Sequence, residues 1–463
     1  MRTNLGATDV AREMTVINSG VFRQLRPVAV EALELLQSAR TVEQFAALEH
    51  LLLKQFLRHQ VVQERLRDEI EDRKAERGRL VAQEPRPVTR IGAMNESIRA
   101  DEDADHALAC ALHALRCVGD GIAWKAVGYD RRAVSVMGDG RRVGRLADEQ
   151  GLQAELAEMR RLLVEEGRFA IHNDATNCLR HGDLTIPTRL TGPRDVEIAE
   201  IKAGGRGKRR QIMRLDERLE LLRTGAAGPS ERTPGGLRIL PGVVPLEVFH
   251  VHLAAAVRDA RHDGIGYASP LPCLAIDVVD MRRLDDGREP GPEEDWTTAG
   301  VRRRGLDVDD PRVVRTLSFE RRLRERRDSW AFIAPITILP LPAVDVADLL
   351  LGGLDVCTTL FCDELEAVFA RAGLHCEVAG TDQQAERFLR VSDGLSTVSM
   401  PPAIREHMLA ELVSPISIVH AAQLSLAAVA VDDAAQPAGH LVTYHDEQRV
   451  WDLPPLVAAG TGS

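Results

Sequence analysis

Hydrophobic positions recur at the three- and four-residue spacing of a helix throughout Val42–Val81. The second half of this segment is dominated by Glu, Asp, Arg and Lys, as on a solvated helix or an antiparallel helical hairpin. Thr41 is the predicted start of the helix, and prolines at 85 and 87 close the pattern. We therefore predict a long helix whose role is packing or dimerisation. Its apolar stripe consists of Phe45, Leu48, Leu52, Leu66 and Ile70.

Further helical patterns occupy the middle of the chain. Residues 101–105 form an acidic, linker-like stretch that leads into a predicted helix over 106–118, broken or kinked at Gly119-Asp120-Gly121. A second helix is predicted over 152–166 and a third over 211–222. Beyond residue 236 we predict helices at 244–260, 346–350, 360–373 and 402–413, and buried strands at 273–279 and 333–339.

Two short segments alternate polar and apolar residues with the two-residue period of a half-buried strand. The first covers 182–186 and begins Gly182-Asp183, and the second covers 196–202 and ends Glu200-Ile201-Lys202. Positions two apart in a strand point to the same face, so Glu200 and Lys202 project together and Ile201 faces the core. If the strands are neighbours, Asp183 joins the pair.

These elements predict an α/β fold with three regions. Residues 1–100 form an N-terminal helical region, and 101–225 run helix, strand, strand, strand, helix, with the first strand near 168–171. A Gly/Pro-rich linker precedes a C-terminal α/β region at 236–463. The length of 463 residues agrees with two or three domains.

The acid–acid–lysine set has the chemistry of metal-assisted phosphodiester hydrolysis. Such a reaction needs neutralisation of charge on the phosphoryl oxygens and a deprotonated water in line with the leaving oxygen. Mg²⁺ is held by one or two carboxylates, which Asp183 and Glu200 would supply. Lys202 would orient the attacking water or stabilise the developing negative charge.

A glycine-interrupted basic loop follows this motif. Residues 202–214 contain six basic side chains and no acidic one. Glycine allows the backbone to approach a phosphate closely, and each neutralised phosphate adds salt-dependent affinity. Besides Lys202, these basic side chains are the predicted phosphate-contacting residues Arg206, Lys208, Arg209, Arg210 and Arg214.

The order of Asp183, Glu200-x-Lys202, the basic loop and a helix beginning with Gln211 resembles the PD-(D/E)XK nuclease superfamily. The resemblance implies an α-β-β-β-α-β core with a mixed sheet over 101–225, and Mg²⁺ or Mn²⁺ as cofactor. It implies that Asp183 and Glu200 are metal ligands, that Lys202 is the catalytic lysine and that Gln211 supports the site. It further implies a nuclease acting on DNA, with restriction or defence against foreign DNA as the common setting.

The chain departs from the superfamily pattern at two places. Gly182 stands before Asp183 where many members have proline, and no Glu stands plainly in the first helix, so Asp120 is the best substitute for that ligand. His172 and Asp174 are candidates for reaching the metal or substrate from the turn before the motif. The alternative, favoured for this polar cluster, is a turn whose side chains bond to their own backbone.

Composition limits the possible functional classes of the protein. The formal net charge of −11 argues against wholesale coating of nucleic acid, yet leaves room for a local basic patch. The seven cysteines contain no Cys-x-x-Cys pair and favour a reduced cytoplasm. We expect no signal peptide and no transmembrane span.

The leading hypothesis is a cytoplasmic, metal-dependent nuclease. One alternative is a nuclease-derived nucleic-acid-binding or scaffold protein without catalysis, and another is an enzyme that acts on nucleotides or another small phosphate. The acid-x-Lys triplet could also be a salt-bridge ladder at a sheet edge. A homo-oligomer or an accessory protein could bind through the N-terminal helix or the C-terminal region.

Overall fold

The computed structural model describes twelve stretches of the chain, and the structural statements below concern these residues. They are 19–138, 149–179, 182–188, 196–199, 201, 226–227, 237–284, 299–307, 310–317, 334–379, 388–429 and 439–445. The fold in these residues is mixed α/β, as the sequence predicts.

Helices of very different length make up most of the N-terminal half. The α-helices, in chain order from α1 to α12, are Gly20–Ser38, Val42–Val81, Val88–Ala126, Arg131–Met137, Glu149–Glu166, His250–Asp263, Met281–Leu284, Ala299–Arg302, Ala343–Leu351, Cys362–Arg371, Ala403–Leu409 and Pro415–Val429. Short 3₁₀ turns lie at Asn173–Ala175 and Ile336–Ile338.

The strands form four small sheets in the described residues, with orders β1-β2-β3, β6-β7-β9-β8, β10-β11-β12 and β13-β5-β4. Only the last of these contains a parallel pair, between β13 and β5. The strands β1 to β13 are Ile171–His172, Leu184–Pro187, Val196–Ala199, Ala226–Ala227, Leu237–Pro245, Ile265–Leu271, Leu274–Asp280, Val313–Leu317, Leu354–Phe361, His375–Val378, Leu389–Ser392, Thr397–Met400 and Gly439–His445.

The predicted long helix is confirmed as α2, and a capping box fixes its start. The Thr41 hydroxyl accepts the Gln44 backbone N–H at 3.4 Å, and the Gln44 side chain accepts the Thr41 N–H at 3.1 Å. After the turn at 82–87, α3 returns antiparallel to α2. Arg67 Nε lies 2.8 Å from Asp105 Oδ1 across the pair. The two helices therefore form the helical hairpin that the charge pattern allowed.

The predictions of a linker at 101–105 and a break at Gly119-Asp120-Gly121 are wrong, because α3 runs through both without interruption. The glycines serve close packing instead. A Cβ at Gly119 would overlap the carbonyl oxygen of Ala175, and one at Gly121 would lie 2.6 Å from both Leu36 Cδ2 and Thr337 Oγ1. Other segments of the chain therefore approach α3 at these glycines from different sides.

Several C-terminal elements differ from the predictions in type or extent. The segment predicted as a helix from 244 begins as the end of β5, and α6 starts only at His250. The apolar run near 336–338 is a 3₁₀ turn, since the prolines at 335, 340 and 342 cannot donate to a strand ladder. The predicted helix at 360 starts at Cys362, because the residues up to Phe361 belong to the buried strand β9. The helix predicted over 402–413 ends at Leu409.

Buried side chains from all three predicted regions belong to one hydrophobic core. Leu48, Trp124 and Leu412 are members of it, one from each region. In addition, α3 crosses the proposed boundary at residue 100 within a continuous helix. A smaller cluster around Leu162 and Leu184 lies beneath the sheet β1-β2-β3. The division into three domains stays a prediction.

Among the helices of the described residues, none combines the length and the apolar character that a transmembrane span requires.

Two glycines of α3 provide a matched test of this packing. Gly92 is exposed, and a Cβ added there would have no neighbour within 4 Å. Gly119, in contrast, packs against the Ala175 carbonyl. Gly92→Ala should raise the free energy of unfolding by about 0.5–1 kcal/mol, because alanine costs less backbone entropy in a helix. Gly119→Ala should lower it by about 1–3 kcal/mol, because the methyl group forces the turn away. Urea unfolding followed by circular dichroism measures both, and a stabilised Gly119→Ala variant would contradict the close approach.

Candidate active site

The two strands that carry the predicted motif are neighbours, which is the condition for Asp183 to join Glu200 and Lys202. In the antiparallel pair β2–β3, Leu184 lies opposite Ala199 and Pro187 opposite Val196. Strand β1 lies on the other side of β2, with His172 opposite Leu184. Helix α5 precedes this sheet in the chain. The order helix, strand, strand, strand is therefore present around the candidate site.

Asp183 lies immediately before β2, half-buried, and is held against the strand that follows. Its backbone N–H donates to the carbonyl of Ala199 at 2.9 Å, and its Oδ2 accepts the N–H of Ile201 at 2.5 Å. In the sequence, Glu200 is the residue between these two partners. Asp183 is thus fixed to the segment of chain in which the second acid of the motif stands.

Gly182 has a backbone conformation that explains the absence of proline before Asp183. Its φ is +70°, in the left-handed region, and proline is fixed near −65°. A Cβ here would also approach the carbonyl oxygen of Ala199 to 2.9 Å. Glycine is therefore required by the close approach of β3 to this turn.

The face of the sheet that carries Leu184 packs on α5. Ala199 and Ile201 pack against the small cluster formed with Leu162 of that helix. The prediction that Ile201 faces a core is confirmed. Since neighbouring residues of a strand alternate in direction, Asp183 belongs to the opposite face from Leu184.

The remaining residues of the predicted motif lie outside the described residues. These are Glu200 and Lys202, together with Gln211, its predicted helix over 211–222, and the basic residues Arg206, Lys208, Arg209, Arg210 and Arg214. Their roles stay predictions.

Asp120 is buried in α3 and holds the loop that precedes β2. One carboxylate oxygen accepts the backbone N–H groups of Asn177 and Cys178 at 2.5 and 2.8 Å, and the other accepts the Asn177 side-chain amide at 2.8 Å. Hydrogen bonds from N–H groups to a carboxylate are charge-assisted and stronger than neutral ones. Asp120 therefore holds this loop, and its role as a substitute ligand stays a prediction.

The polar turn before the motif is hydrogen-bonded to the start of β2. The alternative favoured from the sequence, in which the side chains of the turn bond to their own backbone, does not hold for the Asn173 side chain. Asn173 donates its backbone N–H to the carbonyl of Asp183 at 2.9 Å and its side-chain amide to the carbonyl of Gly182 at 3.2 Å. The Thr185 hydroxyl donates to Asn173 Oδ1 at 2.8 Å. Asp174 is half-buried, and its carbonyl accepts Arg116 Nε at 3.2 Å. The turn thus positions the residue that begins β2.

His172 lies in a buried cluster with two glutamates from different helices. Its ring Nε2 lies 2.6 Å from Oε2 of Glu155 on α5, and its backbone N–H donates to Oε1 of Glu49 on α2 at 2.9 Å. Glu49 Oε2 and His172 Nδ1 are buried and have no hydrogen-bond partner in the described residues. The cluster therefore joins α2, α5 and β1 and brings charge into the interior behind the candidate site.

Burial and neighbouring charges shift the proton affinity of this cluster. Burial raises the pKa of Glu49 to about 7, against the opposing effects of the His172 N–H and the His172 charge. Burial alone would lower the pKa of His172. The hydrogen bond and charge of Glu155, with the charges of Glu49 and Asp174, outweigh that effect and raise the pKa of His172.

Sequence reasoning missed Glu49 and Glu155. A usable signal was present, because both acids lie on the apolar stripe of their helix. Glu49 follows Leu48 and stands four residues after Phe45, and Glu155 stands three residues after Leu152. An acid within an apolar stripe indicates a buried, partnered carboxylate.

The donor chemistry at Asp183 fits a hard, oxygen-ligated cation such as Mg²⁺. A carboxylate offers about four lone-pair sites, so it can accept N–H groups and ligate a cation at the same time. Ligating carboxylates are themselves commonly hydrogen-bonded. Within the described stretches, no group of three or more His, Cys, Asp or Glu side chains is arranged to hold a metal ion.

No family model, curated protein or solved structure matches this chain.

The buried cluster predicts a pH-dependent stability. A native pKa of Glu49 near 7, against 4.5 for an unperturbed Glu, means that the folded state holds a proton which the unfolded state releases. The stabilisation is complete below the unfolded pKa and is lost as the pH rises through 7. The raised pKa of His172 acts with the same sign above pH 6.5. We expect the Glu49 contribution to lower the free energy of unfolding by about 2 kcal/mol between pH 5.5 and 8.

Urea titrations at the two pH values test this expectation. Glu49→Gln should reduce the pH dependence, whereas Glu64→Gln should leave it unchanged, because Glu64 is exposed on the same helix. An equal pH dependence in wild type and Glu49→Gln would show that the proton is held elsewhere.

Proposed function

We propose that this protein is a metal-dependent nuclease that hydrolyses phosphodiester bonds in nucleic acid, with DNA as the favoured substrate. One observation carries the proposal. Asp183 is hydrogen-bonded through its backbone to Ala199 and through its carboxylate to Ile201, the two neighbours of Glu200 in the sequence. A carboxylate fixed against the acid-x-Lys segment is what a two-carboxylate cation site needs.

The arrangement of elements and the charge pattern support the same proposal. Helix α5 and the antiparallel strands β1, β2 and β3 follow the order that the PD-(D/E)XK resemblance implies. The basic, glycine-rich stretch after Lys202 supplies cations for phosphates in a chain of net charge −11. Restriction or defence against foreign DNA is part of the proposal.

In the proposed reaction, the predicted site residues have separate roles. Asp183 and Glu200 would hold Mg²⁺ or Mn²⁺, which when bound neutralises phosphoryl charge and lowers the pKa of a bound water. Lys202 would orient the attacking water through its ammonium group and stabilise the developing negative charge. Gln211 would support the site as a neutral hydrogen-bonding side chain. Arg206, Lys208, Arg209, Arg210 and Arg214 would bind the phosphates on either side of the scissile bond.

The proposal places the protein in a reducing compartment such as the cytoplasm. All seven cysteines are free thiols, six of them buried. Burial raises the pKa of Cys273 and Cys362 to about 11, so these thiols stay protonated and unreactive near neutral pH.

Cleavage of supercoiled plasmid DNA tests the function. Purified protein should nick the plasmid with Mg²⁺ or Mn²⁺ and not with EDTA. Asp183→Asn, Glu200→Gln and Lys202→Met should each lower the rate by about 100-fold or more, because each removes a group that acts on the metal or the water. Asparagine is chosen at 183 because its amide oxygen can still accept the Ile201 N–H.

Glu197→Gln is the matched control for these variants. Glu197 lies on β3, is largely exposed and pairs with Arg168 at 2.6 Å, away from the proposed chemistry. It should cleave as the wild type does. Unchanged cleavage by both Glu200→Gln and Lys202→Met would refute the site. Salt-sensitive DNA binding that ignores Mg²⁺ and survives Asp183→Asn would favour a scaffold protein. Turnover of nucleotides without binding of long DNA would favour a small-phosphate enzyme.

A further inference from the structure

The hairpin of α2 and α3 continues beyond the core as a helical arm, residues 63–105. Ion pairs join its two helices along their length, including Arg67 with Asp105 at 2.8 Å and Lys74 with Glu102 at 3.2 Å. Arg73 pairs with Asp101 in the same way. These contacts hold the stem of the arm, residues 63–76 and 91–105, as one antiparallel unit.

The tip of the arm, residues 77–90, is cationic. Arg77, Arg79 and Arg86 are exposed there, and in the described residues none of the three has an ion-pair or hydrogen-bond partner. Arg90 is also exposed and pairs with Glu76 at 2.7 Å. The tip therefore presents three guanidinium groups that pair with no acid in the described part of the chain.

Charge is segregated along the arm. The tip contains four arginines and one acid, Glu84, whereas residues 91–105 contain five acids and one arginine. The first turn of α3 carries no acid. A polyanion would thus be attracted to the tip and repelled by the returning helix of the stem.

The tip is ordered by its own contacts. Leu80 is buried, and the N–H groups of Ala82 and Gln83 donate to the carbonyls of Gly78 and Leu80 at 3.3 Å. The N–H of Val88 donates to the Arg86 carbonyl at 3.0 Å. The backbone positions that carry the arginines are therefore fixed, and a ligand does not have to order them.

The base of the arm's first helix touches the candidate active site. Glu49, near the start of α2, accepts the backbone N–H of His172, which lies opposite Leu184 in the sheet. Arg79 stands thirty positions further along the same continuous helix. At 1.5 Å per residue, the tip lies about 45 Å from this point. That distance equals about 13 base pairs of duplex at 3.4 Å each.

We propose that the tip binds the phosphate backbone of a duplex whose other end occupies the active site, so that the arm measures out about 13 base pairs. The inference rests on the proposed nuclease function. Guanidinium groups suit phosphates because their planar donors bind two oxygens at once and are weakly hydrated. The acidic stem keeps the duplex off the arm between its two contacts. The substrate class is therefore double-stranded nucleic acid longer than about 13 base pairs.

Binding of labelled duplexes in EDTA tests the inference without requiring cleavage. The variant Arg77→Gln/Arg79→Gln/Arg86→Gln should bind a 30-base-pair duplex about tenfold or more weakly than wild type. The slope of log affinity against log salt should fall by about 2 to 3, one unit for each lost phosphate contact. A 10-base-pair duplex bound at the active site cannot also reach the tip, so the variant should lose much less affinity for it.

A second triple variant controls for the loss of net charge. Arg58, Arg65 and Arg99 are exposed arginines of α2 and α3 away from the tip. Their replacement by Gln should leave binding of the 30-base-pair duplex within about twofold. Thermal unfolding midpoints equal to wild type would verify that both variants are folded.

Each other outcome overturns a defined part of the interpretation. If the tip variant loses equal affinity for both duplex lengths, or if both triple variants lose equal affinity for the long duplex, the inference is overturned even if the wild type cleaves DNA. Self-association in sedimentation that only the tip variant loses, with DNA binding unchanged, would assign the tip to a second copy of the chain instead. If the wild type never cleaves DNA but the tip variant still binds the long duplex more weakly, the nuclease function is refuted. The tip would then be retained as a duplex-binding surface.

Discussion

The architecture depends on the close approaches that Gly119-Asp120-Gly121 allow in the middle of α3. At Gly119 the helix meets the carbonyl of Ala175, and at Gly121 it meets Leu36 and Thr337. Asp120, between them, binds the loop that leads to β2. Three segments distant in the sequence therefore converge on one turn of helix. The Asp120 carboxylate, between the glycines, binds the backbone of the loop before β2 and so helps to fix the start of that strand.

Elements with strong local periodicity were predictable, and those that depend on remote packing were not. The stripe in α2 and the alternation around Asp183 are properties of the residues themselves, so helix α2 and strands β2 and β3 follow from them. Glycine in a helix pattern normally indicates a break, and only the approach of Ala175 reveals its use at Gly119. The role of Glu49 likewise needs β1 beside α2, which no local pattern encodes.

Buried charges join parts of the chain that are far apart in sequence. Lys125, at the end of α3, donates to the carbonyls of Leu36 and Gln37 at 2.7 and 2.9 Å, and so caps the C-terminus of α1. Arg131 forms a buried bidentate pair with Glu411 at 2.6 and 2.8 Å. Such pairs add little net stability after desolvation, yet breaking one leaves an uncompensated charge. They favour a single arrangement of the N-terminal helices on the C-terminal elements.

The arm has a further consequence, because it consists of two continuous helices without a catalytic residue assigned to it. Removing seven residues from each helix would shorten it by about 10 Å and rotate the facing sides by only about 20°. Its reach could therefore change in regular increments while the core and the candidate site keep their structure. Insertions and deletions of this size are a simple route by which related chains could acquire arms of different length on the same body.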